Sequence, residues 1–254
     1  MNYRILTQEN LGEEHICCAI SNNKDPQVAS KKAWLRDRMD EGLVFLKSEE
    51  RGKCFIEYLP AECAWVPIRA DNYTFIDCFW VSGSFKGHGY ANDLLAACIR
   101  DSREKGKTGL CVISSPKKKP FLSDPAYLAH KGFAVADTAA PFFELLYLPF
   151  EPGAPKPAFL PQVKAPRIGK PGFVVYYTAQ CPYTAKYVPL MEAVAKEQGV
   201  PLETNKIESR AAAQAAPAAV TTFAHFCDGT YMTNELFSEK KFTALCEEYQ
   251  ASHR

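Results

Sequence analysis

Apolar and polar positions follow two different periods between Tyr73 and Ser115, and this stretch organises the first half of the chain. Residues Tyr73 to Val81 are aromatic and β-branched, as is typical of a strand, and Leu110 to Ser114 form a second such run. The apolar positions between them recur at helical spacing and are Ala91, Leu94, Leu95, Cys98 and Ile99. The pattern predicts a βαβ unit whose helix packs one face on a sheet.

A turn from Ser82 to Gly89 lies where the first of these strands passes into the helix. Gly87 and Gly89 have no side chain to block a ligand, and the free N–H groups at a helix start favour an anion. The turn lacks the Gly-x-Gly-x-x-Gly spacing of a dinucleotide fold and the Gly-Lys-Ser/Thr ending of a P-loop. The glycines by themselves predict either an anion site or a tight connection.

The residues Ser84 to Ala91 resemble the pyrophosphate loop of the GNAT superfamily of acyl-CoA-dependent N-acetyltransferases, whose pattern is Gln/Arg-x-x-Gly-x-Gly/Ala. Both glycines match, whereas Ser84 stands where the family has Gln or Arg, and Lys86 is expected to supply the missing charge. Phe79 to Val81 resemble the family's fourth strand, and Tyr127 to Phe133 resemble its penultimate helix, which ends in Gly-Phe.

This resemblance implies an α/β (α+β) fold with a mixed, mostly antiparallel sheet. Two neighbouring parallel strands, Tyr73 to Val81 and Leu110 to Ser114, would splay apart and admit the pantetheine arm of acetyl-CoA. Lys117 to Lys119 either meet the 3′-phosphate or form a solvated face. The remaining implied cofactor contacts are Phe79, Val81, Lys86, Gly87, His88, Gly89, Tyr90 and Ala91.

Acetyl transfer to an amine needs a base, because an alkyl amine has a pKa near 10 and must lose a proton. Asp77, Glu57 and Glu62 are the candidates, and Asp77 is preferred because it interrupts the strand expected to face the thioester. A carboxylate among apolar residues is costly unless it is paired or useful. The alternative is that strand alternation points Asp77 to solvent or to a lysine.

The acid that would protonate the departing thiolate is less well marked. The family often has a tyrosine four residues before the Gly of Gly-Phe, but Leu128 stands there and Tyr127 precedes it by one residue. One residue turns a helical side chain by about 100°. Tyr127 is therefore either the acid or a core residue, and the thiolate can also leave without an acid. His88 is expected to be a solvated side chain.

Composition limits the class of protein. The 254 residues carry a formal net charge of +1, so nucleic acid or an anionic membrane is not an expected partner. Ten cysteines are scattered through apolar stretches and have no zinc-ligand spacing, which indicates buried free thiols and no metal. No signal-like or membrane-spanning run occurs, so a cytoplasmic protein is expected.

The first domain is expected to cover residues 1–149. A helix is predicted around Glu13 to Ile20, and Asp25-Pro26 predict the cap and first position of another helix that ends near Gly42. Leu43 to Lys47 and Lys53 to Leu59 read as a hairpin. Residues 150–171 contain six prolines and are interpreted as a stiff linker lying on a domain surface.

Residues 172–254 form a second unit with the predicted order βαβαββα. That order, with Cys181-Pro-Tyr-Thr184 at the first helix and Pro217 before the third strand, resembles a thioredoxin-like domain. Cys181 at a helix start is expected to have a lowered pKa and to be a reactive thiol. Thr184 replaces the second cysteine, and Cys227 is a partner only if folding brings it close. Alternatively, the unit is a redox-inactive scaffold.

The combination of both halves resembles the YoaP-like GNAT proteins over nearly the whole chain. It implies an N-acetyltransferase that moves an acetyl group from acetyl-CoA to a small-molecule or peptide amine. One alternative is a thiol-dependent enzyme using Cys181. Another is a non-catalytic acyl-CoA sensor, for which Ser84 and the position of Tyr127 are the best arguments.

Overall fold

The computed structural model describes residues 1–18 and 22–253. Among these, residues 3–159 hold nine strands and three α-helices. In chain order they are β1 (Tyr3–Ile5), α1 (Pro26–Met39), β2 (Val44–Ser48), β3 (Cys54–Pro60), β4 (Ile68–Arg69), β5 (Tyr73–Val81), α2 (Tyr90–Glu104), β6 (Gly109–Ser114), α3 (Pro125–His130), β7 (Ala134–Ala139), β8 (Phe143–Pro149) and β9 (Ala158–Phe159).

Seven of these strands form a mixed sheet in the order β1-β2-β3-β5-β6-β8-β7. β5 and β6 run parallel, whereas every other neighbouring pair is antiparallel. α2 and α3 cover one face, where Leu94, Leu95 and Leu128 are buried. α1 covers the other face with Val28 and Leu35. The predicted βαβ unit is therefore present, and its helix packs as the apolar stripe indicated.

The start of α1 also follows the sequence prediction. Asp25 is the N-cap, its side chain accepts a hydrogen bond from the N–H of Gln27, and Pro26 occupies the first turn. The helix predicted from Glu13 is wrong over the described residues, because residues 8–13 form turns and no helix follows up to residue 18. Leu11 and Ile16 are fully buried there, so their apolar character reflects a buried loop. Residues 19 and 20 of that prediction lie outside the described residues.

The proline-rich segment lies against the fold, as its interleaved apolar residues predicted. β9 pairs antiparallel with β4, where Phe159 is opposite Ile68. Phe159 and Val163 are buried, and Tyr73 donates a hydrogen bond from its hydroxyl to the carbonyl of Pro155 at 2.8 Å. The segment is therefore fixed by pairing and burial along part of its length.

The second half of the chain builds a four-stranded sheet. Its elements are β10 (Phe173–Tyr177), α4 (Thr184–Gln198), β11 (Leu202–Lys206), α5 (Arg210–Gln214), β12 (Phe223–Cys227), β13 (Thr230–Thr233) and α6 (Glu239–Ser252). The strand order is β11-β10-β12-β13, in which only β10 and β11 are parallel. The predicted order βαβαββα is confirmed. The cis peptide bond among the described residues precedes Pro141, so the bond before Pro217 is trans.

The two sheets share one buried core. Alternation along β10 turns Phe173 and Val175 toward α4 and α6, while Val174 belongs to the apolar cluster that contains Phe55 and Phe75. Hydrogen bonds also cross the junction, including those from the hydroxyl of Thr221 to the carbonyl of Trp65 and from Gln214 Nε2 to the carbonyl of Ala64 at 3.3 Å. No described helix has the length and apolar character that crossing a membrane requires.

One buried polar side chain stands out within the second unit. His225 in β12 is fully buried, and within the described residues neither ring nitrogen has a hydrogen-bond partner. Burial lowers its pKa to about 3, because the charged imidazolium would lose its hydration. Its aromatic neighbours are Phe173, Phe223, Phe237 and Phe242.

We expect the substitution His225→Phe to raise the free energy of unfolding at pH 7 by about 1 kcal/mol, because it removes unsatisfied polar atoms. Below pH 6.5 the unfolded histidine takes up a proton that the folded one does not, so the wild-type protein loses up to about 1.4 kcal/mol per pH unit through this group. Urea unfolding at pH 7 and pH 5 measures both effects. Equal losses of stability in the two proteins between these pH values would contradict the assignment.

Candidate active site

A β-bulge in β5 places one residue out of register with β3. Glu57 of β3 is opposite Cys78 and Tyr58 is opposite Ile76, so Asp77 has no partner on β3. An extra residue of this kind bends its strand and redirects a side chain, and bulges are common beside active sites. The strand pattern of the sequence gave no sign of this irregularity.

The neighbouring strands part at the same level. β5 pairs with β6 only from Tyr73 to Phe75, although β6 continues to Ser114 in its pairing with β8. The strands therefore separate just before the bulge at Asp77, and they open a gap toward the end of β5. The observed gap agrees with the splayed pair of parallel strands that the sequence resemblance implied.

A cavity of about 440 Å³ lies at this gap. Asp77, Phe79 and Trp80 of β5 line it, and so do Lys31 of α1 and Glu57 of β3. The segment Gln180 to Tyr183, which follows β10, closes the other side. The cavity is thus bounded by both sheets, and it brings together Asp77 and Glu57, two of the three candidate bases.

Lys31 and Glu57 form a fully buried ion pair. The Lys31 Nζ atom donates to both carboxylate oxygens of Glu57, at 2.8 and 2.7 Å. The relative exposure of the side chains is 1% and 0%. Burial is the largest influence and would lower the Lys31 pKa, but the charge and hydrogen bond of Glu57, together with other nearby acidic groups, give a net rise. Both oxygens of Glu57 are therefore occupied by this contact.

Asp77 is half-buried beside this pair. Burial raises the Asp77 pKa well above its usual value, and the neighbouring Glu57 raises it further, while Lys31 opposes the shift. Gln180 Nε2 donates a hydrogen bond to the backbone carbonyl of Asp77 at 3.1 Å. The two residues are 103 positions apart in the sequence. A carboxyl group with a raised pKa in a cavity is the kind of group that can accept a proton near neutral pH.

Glu62, the third candidate base, lies elsewhere. Its carboxylate accepts from the N–H of Asn72 at 2.7 Å and pairs with Lys107 at 3.2 Å. It does not line the cavity. The structure therefore separates Glu62 from the other two candidates.

The loop before α2 has the form expected of an anion site. Gly87 and Gly89 have φ angles of 82° and 80°, which residues with side chains rarely adopt, and a Cβ at either would meet no atom within 4 Å. Gly89 is the residue before the first turn of α2. Within the described residues, no protein acceptor meets the backbone N–H groups of Gly87, His88, Gly89, Tyr90 and Ala91.

His88 of the loop and Tyr127 of α3 each pack against an aromatic ring. His88 is exposed and stacks on Tyr90, with ring centroids 5.5 Å apart. Tyr127 packs its ring on Phe79 at 5.7 Å and donates from its hydroxyl to Asn92 Oδ1 at 3.2 Å. Burial raises the Tyr127 pKa to about 12, so the hydroxyl holds its proton at neutral pH.

The three lysines that follow β6, Lys117 to Lys119, make different contacts. Lys118 pairs with Asp124 at 2.9 Å, and Lys119 lies 4.1 Å from the ring centre of Phe142. Lys118 and Lys119 also line the cavity, whereas Lys117 is exposed. Two of the three lysines thus border the site, although their ammonium groups are already in contact with other side chains.

The lowered pKa predicted for Cys181 is wrong. Burial raises it to about 11, and the N–H groups of Tyr183 and Thr184 offset this only in part. The side chain lines the cavity, but α4 begins three residues later, at Thr184. Cys227 is opposite Phe173, the first residue of β10, whereas Cys181 follows the last residue of that strand. The length of β10 between the two ends is about 13 Å, so these two cysteines are not partners.

The sequence analysis missed two residues of the site, Lys31 and Gln180. Lys31 had a signal, since it lies between Val28 and Leu35 in the buried stripe of α1, where a charged residue needs a partner. Gln180 had none, because its contact is with a distant strand. Cys18 and Cys78 also line the cavity, and burial raises the pKa of both thiols. The described residues contain no group of His, Cys, Asp or Glu side chains arranged to hold a metal ion.

Two family models match the chain. The acetyltransferase (GNAT) family model matches residues 9–116, and the YoaP-like model matches residues 201–243. The protein named Uncharacterized N-acetyltransferase YoaP, from Bacillus subtilis (strain 168), is 44% identical over 246 residues. The match covers 96% of this chain and 98% of that protein.

Solved structures with some likeness are also acetyltransferases. A GNAT family acetyltransferase from Brucella melitensis in complex with acetyl-CoA has 15% identity and a TM-score of 0.38, covering 61% of this chain and 91% of its own. The PaiA N-acetyltransferase from Thermoplasma acidophilum in complex with coenzyme A has 14% identity and a TM-score of 0.41, covering 59% and 100%.

We expect Lys31→Met to lower the free energy of unfolding by about 3–5 kcal/mol, because it leaves the Glu57 charge buried without a partner. The double variant Lys31→Met/Glu57→Leu should regain most of that loss, since no charge then remains buried. Urea unfolding measures all three proteins.

The control is Lys32→Met, on the same helix. Lys32 Nζ donates to the carbonyl of Gly12 at 2.8 Å, so this variant should lose only about 1 kcal/mol. A double variant that is as unstable as Lys31→Met alone would contradict the account of the ion pair.

Proposed function

Because the chain belongs to the GNAT acetyltransferase family and has a YoaP-like region in its second half, we propose that it transfers the acetyl group of acetyl-CoA to the amine of a small molecule or peptide. Family membership makes the protein an acyltransferase. One observation carries the rest: the parallel strands β5 and β6 part directly beside the half-buried carboxyl group of Asp77. A thioester in that gap would lie next to a base.

The residues of the loop fit a coenzyme A pyrophosphate. Its glycines hold the backbone in the left-handed region, and the positive end of α2 favours negative charge. The described residues offer no acceptor to the N–H groups from Gly87 to Ala91. Open space above both glycines leaves room for the phosphates. Lys86 follows the short turn Gly83–Phe85 and supplies a positive charge where Ser84 replaces the family's Gln or Arg.

Asp77 is the base in this proposal. When bound, acetyl-CoA supplies an activated acetyl thioester. Asp77 takes a proton from the attacking amine, directly or through water, and its raised pKa matches that task better than that of an ordinary aspartate. Glu57 does not act as the base, because Lys31 occupies both of its oxygens. Burial raises the pKa of Asp77, and the charge of Glu57 raises it further.

The remaining steps use the backbone of β5 and the side chain of Tyr127. The segment Phe79 to Val81 lies beyond the last β5–β6 pair, so its backbone has donors available for the negative charge that develops on the carbonyl oxygen. Tyr127 contacts Phe79 and holds its proton at neutral pH, which suits an acid for the departing thiolate. Phe79 and Val81 thereby remain proposed cofactor contacts.

The second unit is proposed to be a thioredoxin-like domain at residues 172–254, joined by the segment 150–171 to an acyl-CoA-binding domain at residues 1–149. The element order and the strand order β11-β10-β12-β13, with one parallel pair, support this division. A redox role has less support, because Thr184 replaces a second cysteine and Cys181 holds its proton at neutral pH. The same fact weakens the alternative of a Cys181-dependent enzyme.

Gly87→Glu should abolish acetyl-CoA binding, because it puts a negative charge and bulk against the pyrophosphate. Gly106→Glu is the control, since Gly106 also has a positive φ angle, 67°, and open space but lies at the other end of α2. Both variants should lose about 1–2 kcal/mol of stability from backbone strain. Calorimetric titration should detect binding to the wild type and to Gly106→Glu only; undiminished binding to Gly87→Glu would refute the loop assignment.

Asp77→Asn should lower kcat/KM at pH 7 by at least about tenfold, because the amide cannot accept the proton. In the wild type, kcat/KM should rise with pH through the raised Asp77 pKa, since only the ionised carboxylate is a base. That rising limb should be absent from the variant. The exposed neighbour Asp71, changed to Asn, is the control and should keep both rate and profile. A wild-type pH profile in Asp77→Asn would exclude Asp77 as the base.

A further inference from the structure

The cavity beside Asp77 is completed by the second unit. The segment Gln180 to Tyr183 lines one side of it, together with Val220 and Thr222. Provided that the proposed acetyl transfer is correct, we infer that this cavity is the acceptor site and that it selects a monoamine carried on an uncharged, apolar body. The second unit is then a determinant of substrate specificity.

Two buried amides of the second unit hold the parts of the first that form the cavity. Gln180 donates to the carbonyl of Asp77 at the β5 bulge, at 3.1 Å, where the strand register leaves that residue without a partner. Asn234 donates from Nδ2 to the carbonyl of Pro120 at 3.1 Å. Their relative exposures are 7% and 6%. The second unit thus fixes both the strand that bears the proposed base and the loop around Pro120 that lines the cavity.

The charges of the cavity fit an acceptor with one ammonium group. Lys31 is paired with Glu57 inside the protein, whereas Lys118 pairs with Asp124 at the surface and Lys119 lies over the ring of Phe142. A substrate carboxylate beside Asp77 would lie near the negative charge of Glu57, where Lys31 is already paired, and this placement is costly. Asp77 is the carboxyl group in the lining that no cation contacts directly, and it can receive one ammonium group.

The walls of the cavity fit an apolar body. Six aromatic side chains line it: Phe55, Phe75, Phe79, Trp80, Phe121 and Tyr183. Phe121 is 52% exposed and has a φ angle of 59°, a strained conformation for a bulky residue and one often found at functional sites. Aromatic faces bind other rings and alkyl chains by stacking and burial.

The chemical balance of the step is that of amide formation. The ammonium group gives one proton to Asp77 or its water, and the freed nitrogen forms a bond to the acetyl carbon. The bond from that carbon to sulfur breaks, and the nitrogen loses a second proton. Coenzyme A leaves as a thiolate that takes up one proton, so the reaction releases one proton overall. No oxidant, reductant or metal is needed.

The experiment compares four amines as acceptors for the full-length protein. We expect kcat/KM for 2-phenylethylamine to exceed that for L-phenylalanine, which differs by its carboxylate, by at least about 100-fold. It should exceed the values for ethylamine, which lacks the apolar body, and for spermidine, which carries further charges, by at least about tenfold. Equal or better use of L-phenylalanine or spermidine would overturn the inference while leaving acetyl transfer intact.

Tyr183→Ala tests whether the second unit contributes to this selection. The preference for 2-phenylethylamine over ethylamine should fall by about tenfold, because one aromatic wall is lost. Tyr249→Ala is the control, since Tyr249 of α6 is similarly half-buried in the second unit and does not line the cavity. An unchanged preference in Tyr183→Ala would overturn the inference, provided that its thermal unfolding matches that of the control.

Direct calorimetric binding of 2-phenylethylamine without acetyl-CoA separates this inference from the proposed function. Binding that Tyr183→Ala weakens and Tyr249→Ala does not supports the acceptor site, even if no amine in the panel is acetylated. Failure to bind at millimolar concentration overturns the acceptor site, even if acetyl-CoA binds and other amines react.

Discussion

The separation of β5 from β6 at the Asp77 bulge is the constraint on which the rest of the site depends. Pairing ends at Phe75, so the following residues of β5 face a gap instead of a neighbouring strand. The bulge then turns Asp77 out of the ladder with β3. A regular strand would fill the gap with backbone hydrogen bonds and leave neither a cavity nor free donors beside the carboxyl group.

The buried charges depend on this arrangement in turn. Lys31 of α1 contacts Glu57 on the face of the sheet that α1 covers. Inside the core, each charge is balanced by the other and the two side chains are hydrogen-bonded. Burial raises the pKa of Asp77, the nearby charge of Glu57 raises it further, and Lys31 opposes the shift. Replacing any one of the three charges would therefore change the behaviour of the other two. The carbonyl of the bulge residue is held by Gln180, so the second unit takes part in the same arrangement.

Most of the fold was predictable because its signals are local. Apolar periodicity located the strands and helices of the βαβ unit, and Asp25-Pro26 marked the start of α1. The resemblance of Ser84 to Ala91 to a known loop indicated the gap between the strands. What could not be predicted depends on distant contacts or on burial. Gln180 contacts a residue 103 positions away, and burial reverses the pKa shift expected for Cys181. Leu11 lies in a buried loop, whose apolar residues gave a pattern resembling that of a helix because the loop packs against the core.

The most direct test of the account is a crystal structure of the protein with acetyl-CoA bound. The account predicts pyrophosphate oxygens accepting hydrogen bonds from the N–H groups between Gly87 and Ala91, and a thioester lying in the gap between β5 and β6. The acetyl carbon should then lie within reach of Asp77, directly or through one water. A cofactor bound away from this loop, or a thioester outside the gap, would contradict the central claim.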